Sequence, residues 1–442
     1  MSDRGSLSRV SIALAAAAFL VAWGALHWGF FAHDPLKDTP LYERYGDRML
    51  RGGVPYRDFA VEYPPAALPV FILPSLAVGA HDFPAYARVF EALMGGFGVA
   101  CAVLVAVILV RCNAPPRRIA FGIAVVGLGP LALGPVLLSR FDLWPAALTA
   151  AALAAVTFER SRLGLALLGV AVAAKLYALV LLPLVLVYVA RRRGGREALT
   201  GAAVALGVTG VLFLPFVVLS PHGVWTSVSG QATRPLQIES LGSGVLLAAH
   251  QAFGVPVTVG SGHGSDNLVG SVPHTLAVEL AVLQAIAIVL IVLGFAKGRP
   301  ELDRLLRAGA AAICAFVALG KVLSPQFLGW LLPLVPLVRG RRGVVAAALL
   351  VLAMLLTQLW FPYRYLRLVY SLDPVASWLV FCRDLVLLAL LAVLAWPDQP
   401  RSLHIRRFSG PRYRRRGYSD TKSTPPHDSG AMSSSVSENV HW

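Results

Sequence analysis

The feature that most constrains this chain is a recurring one. Uncharged apolar runs of about 12 to 23 residues are closed, again and again, by short clusters of arginine. An apolar run of about 20 residues is long enough to cross a bilayer as a helix. Only 14% of the residues are charged and 57% are hydrophobic, where soluble domains carry about a quarter charged. The expected fold is therefore an all-α integral membrane protein, with the lipid bilayer as its first partner. A net charge of +16 would suggest nucleic acid if the cations formed one patch on a soluble fold. Here they are dispersed between apolar runs, so no nucleic-acid partner is expected and the clusters read as topology.

The clusters are Arg111/Arg117/Arg118, Arg160/Arg162, Arg191–Arg193 with Arg196, Lys297/Arg299/Arg304/Arg307, Arg339/Arg341/Arg342 and the tail from Arg401. Placing all of them in the cytoplasm requires an even number of crossings between each pair. That holds if 163–174 and 176–190 form two short helices turning at Lys175, and if 305–320 and 327–338 turn near Lys321. Likewise 119–138 and 143–158 turn at Ser139–Asp142. About twelve crossings result, with both termini inside, and about 26 Lys/Arg fall inside against 13 outside, as the positive-inside rule requires.

The first run, 10–32, follows Arg4 and Arg9 and is longer than the apolar core of a cleaved signal, so it reads as a retained anchor. Residues 64–80 are apolar but carry Pro64, Pro65, Pro69 and Pro74, which break helix and suggest an interfacial or re-entrant piece on the outer side, with a crossing as the alternative. The expected organisation is a cytoplasmic N-terminus (1–9), a transmembrane domain (10–396) with extracytoplasmic loops at 33–85 and 221–271, and a disordered basic tail (397–442). The four cysteines, without a CxxC spacing, point to neither a disulfide framework nor zinc. No DxD-like or His-rich cluster marks a metal, and no cofactor is expected.

With this topology, polar residues collect on the outer face. The first loop interleaves acids, tyrosines and prolines from Asp34 and Asp38 through Tyr42, Tyr56, Asp58, Glu62 and Tyr63. Later turns add Arg140 and Asp142, Lys175, Arg234 and Glu239, and Lys321 with Gln326. Charges at the ends of apolar segments are costly and commonly mark a substrate path. Cations beside a bilayer suit a phosphate whose tail stays in lipid. A sugar on a polyprenyl phosphate already has a good leaving group. One carboxylate to take a proton from the acceptor, with cations for the departing phosphate, is then sufficient. The plainer alternatives are an Arg140–Asp142 pair closing a loop, lysines reaching to the interface, and Asp34 or Asp38 serving as a helix N-cap. A soluble nucleotide-sugar domain has no stretch in which to fold.

Asp38-x-x-x-Tyr42, Gly53-x-Pro55-Tyr56-Arg57-Asp58-Phe59 and Glu62-Tyr63-Pro64-Pro65 resemble the first outer loop of glycosyltransferase family 87. These are integral-membrane mannosyltransferases of the GT-C superfamily that use polyprenol-phosphate-mannose. Arg140–Pro145, Ala174–Tyr177, Arg234–Ser240 and Leu323–Phe327 continue the similarity, which covers roughly residues 10 to 396.

The resemblance implies a GT-C-like bundle and an inverting transfer of mannose at the outer face. The donor would be a polyprenyl-phosphate-linked sugar and the acceptor a glycolipid or glycan. It also implies a first-loop aspartate as catalytic base, by position Asp38, with Asp34 second. Arg140, Lys175, Arg234 and Lys321 would then hold the donor phosphate. Tyr42, Tyr56, Asp58, Glu62, Tyr63, Asp142, Glu239 and Gln326 would orient sugar or acceptor. A transporter or flippase of a lipid-linked or anionic solute is the competing reading. It would place its binding groups near the midplane on broken helices. A non-enzymatic scaffold would not need cations at the turns of paired short helices.

Overall fold

A computed structural model describes residues 2–32 and 36–397 of the chain; Asp34 and the expected basic tail beyond Pro397 lie outside them. The first half forms α1 (Ser2–Ala25), α2 (Thr39–Leu50), α3 (Leu68–Val78), α4 (Phe83–Arg111), α5 (Pro116–Leu133), α6 (Leu143–Thr157), α7 (Ser161–Ala174), α8 (Leu182–Arg193) and α9 (Gly195–Leu219). A more irregular stretch follows, with α10 (Pro221–Ala232), β1 (Leu236–Gln237), α11 (Leu241–Phe253), β2 (Thr258–Gly262) and β3 (Ser265–Val269). The chain then returns to helix in α12 (Ser271–Lys297), α13 (Leu302–Ala318), α14 (Gly340–Trp360), α15 (Tyr365–Ser371) and α16 (Pro374–Ala395).

Among the described residues, seven helices are long and apolar enough to cross a membrane: α1, α4, α5, α9, α12, α14 and α16. The shorter α6, α7, α8 and α13, with the 3₁₀ turns over 325–337, stand where the charge pattern requires further crossings. The protein is a multi-pass membrane protein. The short elements have local causes. Helix α7 stops at Ala174 because Lys175 takes extended backbone (φ −159°, ψ 128°). Helices α4 and α16 start sharply because Asp82 and Asp373 accept the backbone N–H of Ala85 and Ala376, at 3.0 and 2.8 Å.

The proline-rich 64–80 stretch forms a short helix. Its helix α3 has 11 residues, about 16 Å of length against a hydrocarbon core of about 30 Å. It packs on α2 and α4. Gly46 of α2 lies against the Phe71 carbonyl and the Ser75 hydroxyl, an approach too close for any side chain. The buried Asp47 beside it accepts from Ser75 Oγ (2.9 Å) and from the His81 N–H (3.0 Å).

One small sheet lies within the helical fold. Strands β1, β3 and β2 form a small antiparallel sheet, with Leu268 opposite both Leu236 and Val259. The hairpin turns at His263-Gly264, both in the left-handed region (φ 55° and 68°), as a tight two-residue hairpin turn demands. Its β-branched residues are only Thr258, Val259 and Val269, and the Gly, Ser, Asp and Asn between them weaken the strand signal in sequence.

The arginine clusters gather at one end of the bundle. Arg118 donates to the carbonyls of Pro336 and Val338, Arg191 to those of Ala296 and Gly298, and Arg307 to those of Leu394 and Trp396. These carbonyls lie at or just past the C-terminal ends of helical segments, where backbone acceptors lack partners and positive charge is favoured. Arg162–Glu197, Arg193–Glu159 and Arg339–Asp303 ion pairs join the same end. The polar turns of the sequence meet at the other end, where the loops fold over one another.

Candidate active site at the loop end of the bundle

Asp38 stands at the N-cap position of α2, yet its side chain makes no capping hydrogen bond. Its carboxylate turns instead to Arg140, whose Nε is 3.0 Å from Oδ2, and it accepts from the Tyr42 hydroxyl one helical turn on (3.4 Å). The Asp38 side chain keeps 33% of its surface open while Arg140 keeps 8%, so the carboxylate is reachable and the cation behind it is fixed. Arg140 is held further by the Leu36 carbonyl (3.1 Å) and Ser139 Oγ (3.3 Å). Tyr42 is wholly buried against Phe71, Phe90 and Phe141. Burial pushes its hydroxyl well above the usual tyrosine range, so it serves as a donor.

Two residues beyond Arg140, Asp142 faces a different partner. Its Oδ1 accepts from Lys175 Nζ (2.6 Å) and from Trp330 Nε1 (2.7 Å). The Lys175 ammonium lies over three rings, Phe141, Trp330 and Phe327, at 4.5, 5.1 and 5.3 Å. Ring stacking continues from Phe327 through Trp330 to Tyr177, whose hydroxyl meets Thr149. The expected alternative of an Arg140–Asp142 pair is replaced by two pairs, Arg140–Asp38 and Lys175–Asp142. Both Arg140 and Asp38 act electrostatically on Lys175, which puts two cations and two carboxylates in one neighbourhood.

The segment 234–240 forms a strap beside this group. Gln237 donates its N–H to the Lys321 carbonyl (3.0 Å) and its Nε2 to Ser324 Oγ (3.1 Å), while Ile238 donates to the Asp266 carbonyl (3.0 Å). Arg234 reaches Ser265 Oγ (2.9 Å) and lies in the field of Glu62, which in turn feels Asp38. Lys321 Nζ holds the Ala232 carbonyl (2.7 Å); burial and the Arg234 cation push its ammonium down.

Glu239 is buried, with Oε2 accepting from Gln237 and Oε1 without a hydrogen-bond partner. Burial pushes its carboxyl up to about 8, against the pull of Arg383 and Arg140, so at pH 7 it stands as a neutral acid. A carboxyl raised in the fold binds a proton that the unfolded chain has already lost. Stability therefore falls as pH rises from the ordinary carboxylate range to about 8 and is level beyond it. Glu239→Gln removes this loss. The melting temperature of the Gln variant in detergent should match wild type near pH 5 and gain on it steadily up to pH 8. A gap that does not change with pH would contradict the assignment.

The remaining expected residues divide. Tyr63 packs its ring on Phe141 at 4.8 Å, beside Tyr42. Tyr56 sits in left-handed backbone (φ 66°), held at three points: its N–H on the Phe59 carbonyl, its carbonyl on Ser220 Oγ and its hydroxyl on the Tyr63 carbonyl. It shapes the loop and has no free hydroxyl. Asp58 stands apart, exposed and engaged by Arg57 and the Val54 N–H. Gln326 is half-buried at the head of the 3₁₀ turn that carries Phe327 and Trp330.

Sequence reasoning missed Trp330 and the buried pair Arg383–Asp384 of α16, whose Nε–Oδ1 distance is 2.8 Å. The second had a signal, two adjacent charges inside an apolar run. No cluster of His, Cys, Asp or Glu suited to a metal occurs among the described residues.

Two solved structures are similar to this chain. ArnT from Cupriavidus metallidurans, in a crystal structure bound to undecaprenyl phosphate, aligns at 17% identity and a TM-score of 0.47, covering 87% of this chain and 76% of its own. The Archaeoglobus fulgidus oligosaccharyltransferase in its apo form aligns at 13% identity and a TM-score of 0.42, covering 90% of this chain and 57% of its own. No curated protein matches. The family model of glycosyltransferase family 87 matches residues 61–325, more than half of the chain, and takes in Glu62, Arg140, Asp142, Lys175, Arg234, Glu239 and Lys321. With the bundle and this gathering of polar turns, the match means that the chain belongs to glycosyltransferase family 87.

Proposed function

We propose that this membrane glycosyltransferase moves mannose, with inversion, from a polyprenyl-phosphate donor to a lipid or glycan acceptor at the extracytoplasmic face, both termini being cytoplasmic. The observation that carries the reading is the accessible Asp38 carboxylate beside Arg140, next to the Lys175–Asp142 pair. Asp38 takes the proton of the acceptor hydroxyl as its oxygen bonds to the anomeric carbon. The bond from that carbon to the phosphate oxygen breaks with its electron pair, and the polyprenyl phosphate leaves carrying one more negative charge. Arg140 and Lys175 stabilise that charge where it develops, with Arg234 and Lys321 further along the same face. Family membership does not by itself fix donor or acceptor; the choice of lipid phosphate rests on cations at the turns of short helices within a membrane bundle.

Purified protein in vesicles, given polyprenyl-phosphate-linked radiolabelled mannose and a membrane lipid extract, should move label into a glycolipid or glycan fraction. The product should have inverted anomeric configuration. Movement of intact labelled donor between leaflets, with no transfer, would replace this reading with that of a flippase.

A further inference from the structure

Arg383 and Asp384 stand in the middle of α16, nine and ten residues from its first turn at Pro374, in a helix otherwise apolar from Val386 onward. Arg383 is 0% and Asp384 1% exposed. Ionisable groups inside a membrane helix are expensive to place there and mark function by default. Arg383 has a task beyond its neighbour, since its Nη2 donates to the Glu239 backbone carbonyl at 2.6 Å.

The helix that follows Glu239 is seated on the same spot. A Cβ on Gly244 of α11 would lie 2.8 Å from Asp384 Oδ2 and 3.3 Å from the Phe381 backbone, so only glycine lets α11 approach this closely. At the far end of α11, Gln251 Nε2 donates to the Leu372 carbonyl (2.6 Å). Helix α11 is therefore tied along α16 at both ends, and its deep end carries the strap. Ser240 Oγ and Ser243 Oγ both close on the Gln237 carbonyl (2.8 and 2.7 Å). The Arg383 bond thus fixes a compact knot from which Gln237 reaches Ser324 and the Lys321 carbonyl.

We propose that Arg383 is a positioning residue for sugar transfer: through the Glu239 carbonyl it pins the 234–240 strap, and with it Arg234 and Gln237, beside the Asp38–Arg140 pair. This rests on the transferase reading above. Arg383 does not touch substrate. It sets the placement of groups that do, and a displacement of about 1 Å at a reacting centre costs on the order of a hundredfold in rate.

Arg383→Met alone would leave Asp384 as a lone buried charge and endanger folding. The decisive variant is Arg383→Met with Asp384→Leu, which removes both charges together and is commonly neutral for stability. In the full-length protein, its melting temperature should stay near wild type while amide hydrogen exchange across 235–244 speeds up by about tenfold or more. The transfer kcat should fall by about tenfold to a hundredfold, with the donor KM changed far less. Gly244→Ala, which lifts α11 while keeping both charges in the sequence, should repeat the faster exchange and the lower kcat. Unchanged exchange in the double variant, or unchanged kcat with faster exchange, would overturn the proposal. If wild-type protein transfers nothing, the proposed activity fails while the exchange measurement still decides whether Arg383 holds the strap.

Discussion

Asp38→Asn should yield a folded, membrane-inserted protein whose transfer rate is lower by about 10²- to 10⁴-fold, the usual contribution of a positioned proton acceptor. Asparagine retains an oxygen for Tyr42 and for Arg140, so the local frame survives while the basic lone pair is lost. The fall should appear in kcat, with donor KM changed little, because Arg140 and Lys175 remain to bind phosphate. Asp38→Glu keeps the chemistry but displaces it and should retain a fraction of the rate. The measurement is initial-rate transfer from labelled donor in detergent or vesicles. Near wild-type kcat in Asp38→Asn would remove Asp38 from the reaction. Asp34, four residues earlier in the first loop, would then become the acid to substitute.

The second large effect is on the fold itself. Asp142→Ala strips the partner from Lys175 and the acceptor from Trp330 Nε1, leaving a cation that is only 15% exposed among three rings. Breaking a buried pair from one side costs about 3–5 kcal/mol, a large part of the total stability of a domain. Asp142→Ala should therefore be much less stable in detergent than Asp38→Asn, whose carboxylate is one-third open to solvent. Thermal melting of the two variants side by side tests this. Lys175→Met combined with Asp142→Leu should recover most of the stability while donor binding stays weak, with KM for the lipid phosphate raised by about tenfold or more, as the loss of a charged hydrogen bond implies. Recovery of both would assign Lys175 to structure alone.

The multi-pass helical character was legible in the sequence because charge at a membrane carries a large energy, so arginine clusters separate the apolar runs that become helices. The turn at Lys175 was readable for that reason. Pairings were not readable. Arg140 and Asp142 are two residues apart, and spacing alone makes them partners; only the folded turn shows one pointing to Asp38 and the other to Lys175, contacts of 102 and 33 residues' separation. The hairpin at 258–269 was hidden by glycine and serine, whose strand preference is weak, although its two-residue turn is set by backbone geometry. Arg383 was visible as a charge out of place, but its bond to a carbonyl 144 residues away has no trace in composition or spacing.

The arginine bonds at the opposite end carry a mechanical consequence. Arg118, Arg191 and Arg307 each grip carbonyls of a segment distant in sequence, so separating the helices there costs several charge-assisted hydrogen bonds at once. At the other rim, neighbouring segments meet through the side chains of the site itself and through a glycine-bearing hairpin. On the transferase reading proposed above, a lipid-linked donor would enter and leave at that rim, with the far side serving as a fixed clasp for the helices.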